Sequence, residues 1–338
     1  MFAMELFAAG ARLTPAARPD PAPGRGEVRL RVSACGVCRT DLHIVDGDLP
    51  LRRTPIVPGH EIVGIVDAIG EDVSGFEIGQ RLGAPWLGGT CGVCLYCREG
   101  AENLCDAPRF NGWTHDGGYA DSVIVDARFA FPIPDIYSDA DAAPLLCAGL
   151  IGFRSWRKAC EARAVCTLGL YGFGAAAHLL AQLAISEGQQ VYAFTRRGDG
   201  PAQALARSLG CVWAGASEDA PPEQLDAAII FAPVGALVPL ALRAVRKGGT
   251  IVCGGIHMSD IPAFPYADLW EERRLVSVAN LTRQDGLDYL PRAAAAGVQA
   301  HTTCFALSHA NEALAALRDG TFTGAAVLIP DTVEKARS

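Results

Sequence analysis

A chain of 338 residues is about twice the ~150 of a typical single domain, so two cores are expected and a small disulfide-stapled scaffold is excluded. Half of the residues are hydrophobic and 20% are charged, which excludes global disorder, and 29 Lys and Arg against 37 Asp and Glu leave a net charge of -8, the wrong sign for neutralising a phosphate backbone. No apolar run approaches the ~20 residues a bilayer demands, and the stretch from Met1 to Glu5 lacks an export pattern, so the expectation is a soluble, cytoplasmic chain with no membrane or nucleic-acid partner.

Residues 27–32 alternate polar and apolar side chains, with Val28, Leu30 and Val32 on one face, as a half-buried strand does. Val63, Ile65, Val66 and Ile69 form a second strand-like run. Pro55, Pro58, Gly59, Gly83, Pro85, Gly88 and Gly89 punctuate this half, which predicts a β-rich, loop-bearing domain. From about Arg163 the texture changes. Apolar runs at 164–168, 191–194, 227–231, 250–253 and 275–279 alternate with helical stretches at 175–186, 202–209 and 237–245. Such alternation predicts an α/β unit, a parallel sheet covered by helices on both faces. The C-terminal segment, with a helix at 311–317 and a strand at 325–329, does not extend that sheet.

Twelve cysteines are the anomaly of the composition. Without an export pattern they read as reduced thiols, serving as metal ligands or small core residues. Cys91, Cys94, Cys97 and Cys105 lie in the string CGVCLYCREGAENLC. The short gaps let neighbouring thiolates converge on one ion, and the longer last gap lets the chain return with a fourth. Four thiolates with no open position describe structural zinc, which holds a loop in place of a hydrophobic core. Zinc-ribbon nucleic-acid modules also use four cysteines, but no basic run accompanies this lobe.

Further motifs are GVCRTDLH around Cys38, PGHE with His60 and Glu61, LLCAG with Cys147, and a glycine-rich turn, GLYGFGAAAH. Together with the four-cysteine lobe, and in this order, they make the chain resemble the zinc-dependent alcohol dehydrogenases of the medium-chain dehydrogenase/reductase family over essentially its whole length. The resemblance implies a GroES-like catalytic domain at 1–150, a Rossmann coenzyme domain with a doubly wound parallel sheet at 151–283, and a return to the catalytic domain at 284–338. It also implies a catalytic zinc held by Cys38, His60 and Cys147 with a fourth position open, hence two zincs per chain. For Cys147 the resemblance alone carries the assignment, because its segment is apolar and cysteine is a common core residue. By the same likeness Asp41 orients the His60 imidazole, Glu61 neighbours the metal during ligand exchange, and Thr40 passes the alcohol proton through the cofactor ribose to His43.

In the family the turn usually reads Gly-x-Gly-x-x-Gly. Gly169 and Gly174 take the first and third positions, Tyr171 the middle one, and Gly172 with Phe173 follows one residue later. The next helix would hold the pyrophosphate at its N-terminus, and Arg39 is placed like a further phosphate contact. The second strand of this unit ends in Phe194-Thr195-Arg196-Arg197, with no carboxylate for the ribose. Thr195 and Arg196 therefore tilt the reading toward NADP, with NAD kept open because an arginine also stacks on adenine. By position, Gly254, Gly255, Ile256 and Asn280 lie along the nicotinamide.

Trp86 stands where similar enzymes carry an aromatic facing the substrate, which favours small primary or aromatic alcohols and their aldehydes. Trp113 and His115, in the loop NGWTHDGGYA, are placed near it. A polyol or secondary-alcohol dehydrogenase of the same superfamily is the enzymatic alternative, and a non-catalytic zinc protein is the alternative of another class. The resemblance implies a homodimer or homotetramer, and the run at 275–279 is compatible with an exposed sheet edge. Cys35, Cys160, Cys166, Cys211, Cys253 and Cys304 are read as small core residues.

Overall fold

The computed structural model describes residues 1–322 and 324–331, in two compact units. The first comprises Met1–Cys147, Leu281–Ala294 and the chain from Ala300 onward; the second comprises Ala148–Asn280 and Ala295–Gln299. The first unit is built on strand β1 (Glu27–Val37) and helix α1 (Arg39–Asp46), followed by β2 (Glu61–Ile69), β3 (Arg81–Ala84), β4 (Ser122–Asp126) and β5 (Phe131–Pro132). In the first half of β1, Val28, Leu30 and Val32 are buried and Arg31 is exposed, as the alternation predicts. Past a register shift between Val32 and Ala34 the strand is buried on both faces, so the alternation vanishes and the strand runs five residues beyond the predicted 32.

The second unit begins with α2 (Ala148–Cys160). It continues as β6 (Thr167–Tyr171), α3 (Ala175–Ser186), β7 (Gln190–Thr195), α4 (Gly200–Ser208), β8 (Trp213–Ala216), β9 (Leu225–Ile230), α5 (Leu237–Ala244), β10 (Val245–Cys253) and β11 (Arg274–Ser277). All pairings are parallel, in the order β8-β7-β6-β9-β10-β11. The chain therefore fills one half of the sheet, crosses over, and fills the other, which puts a topological switch between β6 and β9. Alternate burial is absent here: Leu168 and Leu170, Val191 to Phe194, and Ala227 to Ile230 are all buried, since helices cover both faces. Strand β11 forms one edge, a position with which the 275–279 run is compatible.

The chain then returns through α6 (Arg283–Ala295), β12 (Thr302–Ala306), α7 (Ala310–Asp319) and β13 (Ala325–Ile329). β13 pairs antiparallel with the end of β1, Ala326 facing Val37 and Val327 facing Gly36, and β12 adds parallel to β13. These strands complete a sheet ordered β12-β13-β1-β2-β3-β5, with β4 also paired to β1. Sequence patterning misses α6 because Pro291 lies inside it, and it misses β12 because none of its five residues is buried. Gly286 in α6 is required by close approach: a Cβ there would stand 2.4 Å from the Phe131 ring.

The cysteines read as core divide. Cys35 and Cys211 are buried and Cys160 and Cys253 half-buried, but Cys166 and Cys304 are exposed, a correction. Cys166 lies just before β6 begins and Cys304 sits on the edge strand β12, where apolar neighbours in sequence do not amount to burial. None of the twelve is in a disulfide, and no helix among the described residues is long and apolar enough to cross a membrane.

Asp226, near the start of β9, ties the central strands together. Its carboxylate accepts the N–H groups of Cys166 (2.6 Å) and Thr167 (2.9 Å) and pairs with Arg246. Burial alone would raise its pKa, but the N–H bonds and the guanidinium hold it below the ordinary carboxylate value. A depressed pKa contributes stability that is present above the unfolded-state pKa of about 3.9 and lost as pH falls through the folded value. Asp226→Asn is therefore expected to destabilise the protein by about 1–2 kcal/mol at neutral pH. In urea unfolding, the gap between variant and parent should stay constant down to about pH 5 and narrow below it.

Candidate metal centre and nucleotide-binding turn

Strand register brings the first cluster together. Gly36 of β1 lies opposite Glu61 of β2, so Cys38, two residues past Gly36, and His60, one residue before Glu61, emerge at the same end of the pair. Gly36 has to be glycine: a Cβ there would be 1.8 Å from the Glu61 carboxylate, whose side chain lies across it. Cys147 arrives between the 3-10 turn Ala143–Leu146 and α2. The ligand atoms of Cys38, His60, Glu61 and Cys147 all lie within 4.8 Å of one another. The two sulfurs are 3.7 Å apart, far beyond a disulfide bond and close to the edge, about 3.8 Å, of a tetrahedron with zinc–sulfur bonds of about 2.3 Å.

Asp41 holds this arrangement. Cys38 is the N-cap of α1 and Asp41 its third residue. One Asp41 oxygen accepts the Cys38 N–H (2.8 Å), and the other faces His60 Nδ1 (3.1 Å) and the Gly59 N–H (3.3 Å). With Nδ1 facing a carboxylate, the lone pair falls on Nε2, which is buried and has no hydrogen-bond partner among the described residues. An orphaned imidazole nitrogen beside two sulfurs fits a soft divalent ion such as zinc. The cluster's charges are coupled: the hydrogen bond from Cys147 draws the Cys38 thiol well below its ordinary value, while the same pairing and burial push Cys147 up. Burial, reinforced by the Cys38 charge, raises the Glu61 carboxyl.

The second cluster is the lobe Cys91, Cys94, Cys97 and Cys105, whose sulfurs also lie within 4.8 Å of one another. Backbone N–H groups point at sulfur, from Cys91 to Cys105 (3.3 Å), from Cys94 to Cys91 (3.4 Å) and from Ala107 to Cys105 (3.4 Å). Backbone donors at Asp106 and Cys97 draw the Cys94 thiol down to about 6. Burial pushes the Cys105 thiol up to about 11 despite its two N–H donors, so the four convergent sulfurs rather than the donors are what suit zinc. Glu102, buried within the lobe, accepts the Arg283 N–H (2.6 Å) and its guanidinium (2.8 Å), a tie to α6 that sequence reasoning does not reveal.

Thr40 is buried, its hydroxyl 3.8 Å from the Cys38 sulfur. His43 follows at i+3 on α1, half-buried, with Nδ1 2.8 Å from Asp48. Arg39 is exposed at the first position of α1. The Trp86 ring stands edge-on to His60 at 5.0 Å and stacks on Phe110 (4.9 Å) and Trp113 (5.8 Å). Trp113 thus joins Trp86, while His115 is exposed and bonds Thr114. Phe110 is a site residue that the sequence does not flag, because nothing in its spacing distinguishes it.

In the second unit the glycine turn needs a corrected register. β6 runs to Tyr171, so Gly169 and Tyr171 lie inside the strand, and a Cβ on Gly169 would meet Leu225 at 2.6 Å. The turn is Gly172-Phe173-Gly174, and the fingerprint reads Gly172-x-Gly174-x-x-Ala177, with alanine third. Gly172 has φ +88° and a Cβ there would press on Ala232 (2.8 Å). Gly174 caps α3 without a side-chain bond and has open space where a Cβ would sit. No side-chain cap therefore satisfies the first-turn N–H groups of α3, an arrangement that can receive an anion, and Phe173 is buried beside them.

Thr195 ends β7 buried, its hydroxyl donating toward the Gly215 carbonyl (3.2 Å) and accepting from Gln203 (3.0 Å). That corrects its expected phosphate contact. Arg196 is 92% exposed and reaches Asp199 only at 3.9 Å. Gly254 and Gly255 follow β10, both N–H groups donating to Ile230, and Ile256 is exposed. Asn280 takes φ +55°, and its amide nitrogen is buried with no hydrogen-bond partner among the described residues.

Residues 24–135 match the alcohol dehydrogenase GroES-like domain family. The chain is 46% identical over 317 residues to the protein named "Probable alcohol dehydrogenase AdhA" of Mycobacterium tuberculosis, covering 92% of this chain and 90% of that one. It is 32% identical over 320 residues to an alcohol dehydrogenase of Geobacillus stearothermophilus, covering 90% and 93%. Among solved structures, acetophenone reductase from Geotrichum candidum in complex with NAD superposes with TM-score 0.85 at 28% identity, covering 97% of this chain and 96% of that one. A cinnamyl alcohol dehydrogenase from Sorghum bicolor gives TM-score 0.88 at 25% identity, covering 97% of each chain. With the GroES-like and Rossmann-type units already described, these likenesses show that the chain belongs to the alcohol dehydrogenase family of the medium-chain dehydrogenase/reductases, and that it is an oxidoreductase.

Proposed function

We propose that the chain interconverts primary alcohols, small or aromatic, and their aldehydes, using a nicotinamide dinucleotide and two zinc ions. The observation that carries this reading is the orphaned Nε2 of His60 beside the sulfurs of Cys38 and Cys147. These three residues would hold the catalytic ion, and the four-cysteine lobe the structural one. Bound by Cys38, His60 and Cys147, a zinc ion would supply Lewis acidity that makes the alcohol hydroxyl more acidic and so favours hydride loss to the nicotinamide.

The chain's own residues do the rest. Asp41 fixes the tautomer and tilt of His60. Thr40 accepts the substrate's hydroxyl proton in a hydrogen bond, and His43, three residues on, exchanges protons with solvent. Glu61, buried in the same cluster, serves ligand exchange. Trp86, Phe110 and Trp113 form a stacked aromatic cluster beside His60, an apolar boundary that favours a planar or slender substrate over a polyol, whose hydroxyls would be left unpaired against it.

For the dinucleotide, the bare N-terminus of α3 receives the pyrophosphate, with Gly172 and Gly174 allowing close approach and Arg39 as a further phosphate contact. Arg196 favours a 2′-phosphate and hence NADP. Gly254, Gly255, Ile256 and Asn280 lie along the nicotinamide. The edge strand β11, with no further strand beside it among the described residues, supports a homodimer or homotetramer, and twelve unbridged cysteines support a cytoplasmic setting.

Metal analysis should find two zincs per chain, and Cys38→Ser should lose one of them together with turnover; an unchanged rate in that variant would refute the mechanism. Asp41→Ala removes the acceptor of three buried donors, so it should weaken zinc retention against a chelator by about 10–100-fold while leaving the four-cysteine zinc in place. Equal release of both zincs would count against Asp41 as the group that positions His60. Arg196→Ala is expected to lower kcat/KM for NADPH about tenfold more than for NADH; equal losses would defeat the 2′-phosphate contact.

A further inference from the structure

The segment from Asp46 to Arg53 runs past the aromatic cluster and carries four charged side chains. Three have partners of opposite charge or able to take a proton. Asp46 pairs with Arg318 (2.6 Å), Asp48 with His43 (2.8 Å), and Arg53 with Asp116 (3.6 Å). Arg52 has no carboxylate within 4.0 Å among the described residues. Asp116 is not spare for it, since that carboxylate also takes Arg18 (2.8 Å) and the Val57 N–H (3.1 Å).

Arg52 is nevertheless held. Its guanidinium carbon lies 5.2 Å from the centre of the Trp113 ring, and the Trp113 indole N–H donates to the Pro50 carbonyl (3.0 Å), which fastens the segment to that ring. Trp113 stacks on Trp86, and Trp86 meets His60. A chain of aromatic contacts therefore runs from a residue of the candidate metal centre to Trp113, and Arg52 lies over that last ring with no carboxylate partner among the described residues. A guanidinium laid on an indole is preorganised, weakly hydrated and forked to match a carboxylate.

We infer that Arg52 recognises a carboxylate carried by the substrate at the end remote from the reacting carbon, so that the enzyme selects aromatic alcohols and aldehydes bearing an acid group. A flat apolar ring lies against the cluster, the oxidisable group faces His60, and the acid group meets Arg52. The inference rests on the proposed alcohol dehydrogenase site. Its pairing is partly solvent-exposed, so its contribution is modest and sensitive to salt.

The test measures kcat/KM of the zinc-loaded, full-length enzyme for 4-formylbenzoate and for its methyl ester, with the parent, Arg52→Ala and Arg52→Lys. The acid-to-ester ratio is expected to fall about fivefold in Arg52→Ala, with Arg52→Lys between. Raising salt from about 0.05 to about 0.5 M should shrink the parent's ratio in the same direction. A ratio that is the same in Arg52→Ala and the parent at low salt would overturn the role of Arg52 while leaving the dehydrogenase site standing. Failure of the parent to turn over either compound or any simple alcohol would overturn the proposed function and this inference with it.

Discussion

One buried carboxylate governs the candidate metal centre. Asp41 is wholly screened from water, a position that costs several kcal/mol for an ionised group unless its oxygens are paired. Here they accept the Cys38 and Gly59 N–H groups and face His60 Nδ1. The same bonds start α1 at Cys38 and orient the ring of His60. A helix cap and a ligand-orienting contact are thus one group, and neither can shift without the other.

The brace is effective because the backbones around it are packed too closely for side chains. A Cβ on Gly59, where φ is +97°, would be 2.4 Å from the Tyr119 ring, and one on Gly117 would be 2.0 Å from the Gly59 carbonyl oxygen. The loop from Gly112 to Gly118 therefore lies directly on the loop that presents His60. Trp113 comes from that same loop, which is why it reaches Trp86 and extends the aromatic cluster. The four-cysteine lobe is fixed differently, through Glu102 and Arg283, so the return segment secures a part of the chain far earlier in sequence.

The second unit leaves the start of α3 without a side-chain cap among the described residues. The turn before Gly174 has a left-handed glycine pressed on Ala232. Uncapped N–H groups at the carboxyl end of a central strand, beside the switch between β6 and β9, are what a pyrophosphate requires. The specificity position is less decided by its residues than the string Thr195-Arg196 suggests. The threonine hydroxyl is spent inside the fold, and only the arginine remains exposed.

Much of this was legible in the string. Helix 175–186 and the strand near 27 follow from periodicity, the strands near 63, 191 and 227 from short apolar runs, and the four-cysteine lobe from spacing alone. The glycine register was not legible, because a parallel strand buried on both faces has no alternation to mark its end. The pairing of Tyr171 with Phe194 and Ile230 is what carries β6 past Gly169. Nor did apolar neighbours make Cys166 or Cys304 core residues, since Cys166 falls just before β6 begins and Cys304 sits on an edge strand.

By itself the sequence determined the local donor set: thiolates at short spacing in the four-cysteine lobe, and a threonine, a carboxylate and a histidine within five residues of Cys38. Those features lie within a few helical turns, where backbone geometry fixes who meets whom. Only the tertiary structure decided that Cys147 joins Cys38 across 109 residues, that Phe110 and Trp113 stack with Trp86, and that Arg52 ends over Trp113 with no carboxylate partner among the described residues. Contacts at such separation are set by strand register and loop packing, which no local pattern encodes.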